Sequence, residues 1–124
     1  MDRSSRAIFH GIFSLRDGVT EAEFLPAFEA FYNHLVEMGF ACNFRIMRRQ
    51  PLEGFGETLP PFQYHAEVEF PSLVEDSACY EYVKRDEEPV RSLHRAMNSK
   101  VKPGTADFFL AVWIGGSSRD QSAP

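Results

Sequence analysis

A chain of 124 residues, 44% hydrophobic and 25% charged, has the make-up of one ordinary globular domain with room for a modest core. A formal charge of −5 and a pI near 5.3 argue against the broad basic face that displaces phosphate counterions, so nucleic acid is not an expected partner. No apolar run approaches the roughly 18 to 20 residues of a membrane span, and MDRSSRAIF at the start lacks a secretory hydrophobic segment, so the expected location is the cytoplasm with no membrane partner.

Residues 1–5 are polar and expected to be loose. From Arg6 to Leu15 the pattern predicts a strand with faces Ala7, Phe9, Gly11, Phe13 and Ile8, His10, Ile12, neither of which suits water. Thr20 and Glu23 form a capping box with Val19 placed to staple onto Phe24. Phe24, Phe28, Phe31, Leu35 and Met38 then lay an apolar stripe along a helix that Gly39 ends. Pro26 predicts a bend or a separate first turn. Phe40 to Gln50 reads as a second strand, and the Gly- and Pro-rich 51–61 as a long connector.

Phe62 to Phe70 is the clearest alternating run. Phe62, Tyr64, Ala66, Val68 and Phe70 form one face, and Gln63, His65, Glu67 and Glu69 the other. Ser72 caps a helix expected to bury Leu73, Ala78, Cys79 and Tyr82. A further helical segment starts at Pro89, with Asp86 as a candidate cap and the apolar positions Val90, Leu93, Ala96 and Met97 at helical spacing. Ala106 to Ile114 is nearly all apolar, either a strand buried on both faces or an edge that pairs with something. Residues 115–124 read as a flexible tail. Cys42 and Cys79, with no CxxC, read as two reduced, packed thiols.

This order is the split βαβ pattern of an α+β, ferredoxin-like layer: a four-stranded antiparallel sheet with helices on one face, in a single domain over residues 6–114. The first and third strands then lie in the centre. Their helix-free faces carry Ile8, His10, Ile12 and His65, Glu67, Glu69, a surface too apolar to leave bare and too ionisable to be a plain core. A second copy packed sheet to sheet is the simplest cover, which makes a homodimer the expected assembly.

The element order, the mixed face and the run DFFLAVW resemble the dimeric α/β-barrel proteins, over about residues 6 to 114. More narrowly the chain is similar to an uncharacterised bacterial family of that superfamily. The resemblance implies the fold and the sheet-to-sheet dimer. The superfamily includes stress-responsive barrel proteins and antibiotic-biosynthesis-type monooxygenases, and no catalytic motif of a characterised member matches residue by residue.

On this arrangement His65, His10 and Glu67 are the candidate catalytic residues, and Asn43, Arg45, Ile12, Met47 and Trp113 the candidate ligand-binding residues, around an inter-sheet cavity. Two readings follow. One is a small-molecule-binding or stress-associated module for a hydrophobic or aromatic ligand. The other is a cofactor-independent monooxygenase- or isomerase-like enzyme in which His65 removes a proton from a small aromatic or polyketide-like substrate, Glu67 or His10 orients it and Arg45 holds the developing anion. The bland alternative is a buried hydrogen-bonded cluster with an Arg45–Glu67 ion pair. Neither reading needs a cofactor, and no sequence spacing marks a metal centre. The same three groups also have the composition of a two-His, one-carboxylate iron site. Arg91 and Arg95 with His94 offer a charged patch that reads as a solvated face, and His34 reads as a surface residue.

Overall fold

A computed structural model describes residues 5–116; the expected loose termini lie almost wholly outside the described residues. The elements are β1 (Ala7–Phe13), α1 (Glu21–Glu37), β2 (Asn43–Arg48), β3 (Tyr64–Phe70), α2 (Leu73–Lys84), α3 (Val90–Asn98) and β4 (Asp107–Val112). The four strands form one antiparallel sheet in the order β2-β3-β1-β4, with β1 and β3 central as the alternation requires. The helices cover one face, so the ferredoxin-like α+β architecture read from the sequence is the one observed.

Local chemistry explains the helix ends. Thr20 accepts from the Glu23 amide while the Glu23 carboxylate accepts from the Thr20 amide, satisfying two otherwise orphan donors of α1. Its far end closes as a Schellman motif: Gly39 has φ +85°, its amide reaches Val36 O and the Phe40 amide reaches Leu35 O. Pro26 does not split the helix. It lies at the sixth helical position, where it removes one amide, and α1 runs on as a single element. Met38, expected on the stripe, is the C-cap and half exposed.

Phe24, Phe28, Phe31 and Leu35 of α1 pack against Phe13, Ala66, Val68 and Phe70, with Tyr32 and Phe44 bridging two neighbouring clusters. An apolar cavity of about 40 Å³ remains between β1 and the helices, lined by residues including Phe9, Phe13, Phe28, Met97 and Phe108. The second helical pair departs from expectation. In α2 only Cys79 is buried, while Leu73 and Ala78 are exposed. Asp86 does not cap α3. Glu88 accepts from the Ser92 amide instead, and Asp86 lies near the Arg91 and Arg95 guanidinium groups, which accounts for that basic patch. His34 is not a free surface group, since its Nε2 lies 2.8 Å from the Tyr82 hydroxyl and ties α1 to α2.

Cys42 and Cys79 are both reduced, with no disulfide between them. Burial, with help from the Asp76 carboxylate, pushes the Cys79 thiol up to about 12. Since thiolate is the reactive form, iodoacetamide at neutral pH should label Cys42 in the native protein and Cys79 only after denaturation. Mass spectrometry of tryptic peptides reads this directly; equal native labelling of Cys79 would mean that α2 does not pack as described.

Candidate functional site

The side chains on the helix-free face follow from strand register. His10 pairs with Glu67 across β1–β3, Ile12 with His65 and Ile8 with Glu69. On the flanks, Arg45 pairs with Glu67 and Met47 with His65, and Phe109 pairs with His10. Because side chains alternate, all of these project on the side opposite the helices. Residues far apart in sequence thus become one patch.

At its centre His10 Nδ1 lies 2.9 Å from His65 Nε2. Glu67 Oε2 is 3.5 Å from the same His10 nitrogen and 3.8 Å from the same His65 nitrogen. The other carboxylate oxygen of Glu67 accepts from Arg45 Nε at 2.6 Å, the ion pair that the bland alternative named, although Arg45 itself is largely exposed. Phe109 stacks on the His10 ring, centroids 4.4 Å apart and nearly parallel. The cluster is part-dry: side-chain exposures are 15% for His10, 17% for Glu67 and 30% for His65, against 70% for Arg45. Burial lowers the His10 pKa, the Glu67 carboxylate pulls it back up, and His65 and Arg45 push it further down.

The residues singled out from sequence therefore divide. His10, His65, Glu67 and Arg45 come together, and Ile12 and Met47 flank His65. Asn43 belongs to a second cluster, donating from Nδ2 to Glu69 Oε1 at 3.3 Å. There Arg6 and Glu69 form a buried ion pair at 2.6 Å. Trp113 lies at that same end, its amide donating to Arg6 O. The sequence reading missed Phe109 and the Arg6–Glu69 pair. The alternation that places Ile8 and His10 together places Arg6 with them, and the apolar run of β4 gave no sign of which Phe faces His10. At the opposite end of the sheet, the 49–63 connector forms an open groove with Arg48, Arg49, Phe55 and Tyr64 among its walls.

A family model described as "Family of unknown function (DUF6614)" matches residues 6–111. The chain belongs to this family. Among curated proteins no sequence match is found. Solved structures share the fold of this DUF6614 chain at low identity. A point mutant of SnoaB, a cofactor-independent oxygenase from Streptomyces nogalater, is 11% identical with a TM-score of 0.65, the match covering 90% of this chain and 96% of SnoaB. The hydroxynitrile lyase of Passiflora edulis is 7% identical with a TM-score of 0.62, covering 93% and 99%. A dimeric ferredoxin-like protein of unknown function from Jannaschia sp. is 10% identical with a TM-score of 0.60, covering 86% and 97%. These likenesses carry the expected ferredoxin-like architecture and leave the assembly and the chemistry to the residues themselves. No helix among the described residues is long and apolar enough to cross a membrane.

Proposed function

We propose that the protein works as a homodimer, two copies packed through their helix-free sheet faces, with a small hydrophobic or aromatic ligand held between the sheets. The observation that supports this best is the make-up of that face. Phe109 is 54% exposed and Met47 38% exposed beside the part-dry His10–His65–Glu67 cluster, and no described element of the same chain covers them. Apolar rings gathered around partly desolvated ionisable groups are what an interface or ligand site leaves on a separated chain. Fold neighbours described as dimeric support the assembly. In this reading His10, His65 and Glu67 are the polar anchors for the ligand, Arg45 and Asn43 add donors, and Ile12, Met47 and Trp113 supply apolar walls.

A second reading, catalysis without a cofactor, draws on one contact, the 2.9 Å approach of His10 to His65 with Glu67 behind it. His65 would take a proton from an activated ring or ketone, His10 or Glu67 would orient it, and Arg45 would steady the anion. Likeness to a cofactor-independent oxygenase is in keeping with such chemistry.

Sedimentation velocity should give a dimer, and titration with small phenols and aromatic acids should quench Trp113, the single tryptophan. Binding should be lost in His65→Ala while the melting temperature holds, and with it any turnover. A monomer at micromolar concentration, or binding that survives His65→Ala unchanged, would sink the reading.

A further inference from the structure

The three groups at the heart of the sheet face meet in a way that hydrogen bonding alone leaves unexplained. His10 Nδ1 and His65 Nε2 are close enough to share one proton. The Glu67 Oε2 atom, at 3.5 and 3.8 Å from those nitrogens, is at or beyond the limit of a hydrogen bond to either, yet it points at the same spot. Three lone-pair donors thus converge on a common centre. The point equidistant from all three in their plane lies about 2.0 Å from each, the length of a zinc–imidazole or zinc–carboxylate bond.

We infer that His10, His65 and Glu67 bind one divalent transition-metal ion, of the zinc or ferrous class, through Nδ1, Nε2 and Oε2. Two imidazoles and one carboxylate suit ions of that class, whereas calcium and magnesium favour all-oxygen sites. The surrounding residues fit the role. Arg45 engages Oε1 of Glu67, which fixes the carboxylate and leaves Oε2 for the ion. Phe109 and Ile12 flank the imidazoles, limiting water on one side. All three donors stand on β1 and β3, the two central strands, so their backbones are held by pairing on both edges. Three protein donors leave a zinc-class ion at least one further coordination position for water or a ligand.

The site is complete within one chain, so it does not rest on the dimer proposed above. It goes beyond that reading by naming an ion where the two earlier readings have an anchor or a base. The spacing of His10, His65 and Glu67 along the sequence carries no metal signature because strand pairing, not a local motif, assembles the three.

The test uses the full chain, stripped with a chelator and desalted, then equilibrated separately with Zn²⁺ and, under anaerobic conditions, with Fe²⁺. Bound metal is counted by plasma mass spectrometry. One ion per chain is expected, with at least about a hundredfold weaker affinity in His10→Ala and Glu67→Gln. His34→Ala and His94→Ala, outside the cluster, should bind as the parent does. X-ray absorption at the zinc edge of the parent protein should report nitrogen and oxygen neighbours at about 2.0–2.1 Å, a result that does not depend on any variant folding. Substoichiometric binding, sulfur neighbours at about 2.3 Å, or an affinity indifferent to Glu67→Gln in a folded variant would overturn the inference. Sedimentation of the same samples separates the two ideas: a monomer that takes up zinc sinks the assembly alone, and a dimer that does not sinks the metal alone.

Discussion

Phe28→Ala should lower stability by about 3–5 kcal/mol, the range for removing a buried ring from a packed core. The residue is 2% exposed and stands where α1 meets the sheet, its ring 4.8 Å from Tyr32 and 5.8 Å from each of Phe24 and Phe44. It also lines the existing cavity of about 40 Å³, so truncation enlarges a void rather than opening a separate one that neighbours could refill. That places the expected loss toward the upper part of the range. Against a total stability of roughly 5–15 kcal/mol for a domain of this kind, it is a large fraction. At roughly 3–5 °C per kcal/mol for a chain of this length, the melting temperature should fall by about 12–25 °C. Urea titration with an unchanged slope would confirm that the native state is weakened rather than rearranged. A drop of only a few degrees would mean that α1 does not lie on the sheet as described.

Phe109→Arg should convert the proposed dimer to monomer. The ring is half exposed on the helix-free face and stacks on His10, so a guanidinium there would be buried unpaired when a second sheet closes over it. Loss of a central aromatic anchor removes at least about 2 kcal/mol from an interface, and an uncompensated charge adds to that. Every 1.4 kcal/mol is about tenfold, so the dissociation constant should rise on the order of a hundredfold to ten-thousandfold. Leu110→Arg is the informative control. Leu110 is 42% exposed on the same strand but faces the helix side, opposite Phe9 in the register. If Leu110→Arg dissociates the protein while Phe109→Arg leaves it dimeric, the copies meet on the other face and the inter-sheet site goes with it. Val74→Arg, 72% exposed on α2, should leave assembly unchanged.

Where the sequence spoke clearly, one physical period was uncontested. The alternation of β3 and the capping box of α1 involve neighbours in the chain, so their geometry follows from local rules, and the central position of β1 and β3 follows from topology. The grouping of His10, His65, Glu67 and Arg45 was legible for the same reason: parity fixed their face and antiparallel pairing fixed their neighbours. Elsewhere the local signal was ambiguous. Leu73 and Ala78 have the right residue type for a core, but burial on α2 is decided by how the helix is turned, and the turn leaves them outward. Asp86 has capping chemistry, yet a positive φ of 56° takes it out of line with α3 and Glu88 acts in its place. Distances within the cluster were out of reach, since a difference of 0.6 Å between hydrogen-bonding and merely converging atoms has no counterpart in a residue pattern.

One feature of the sheet bears on the life of a solitary chain. β4 is an edge strand, paired to β1 on one side only, and all six of its residues are exposed. DFFLAV has neither proline nor lysine, and its single charge sits at the first position. Its open backbone donors and acceptors, backed by aromatic and aliphatic side chains above and below, are a template onto which another extended segment can add. Newly made or concentrated copies are thus exposed to runaway strand addition, so the β4 edge bears on how soluble the chain is.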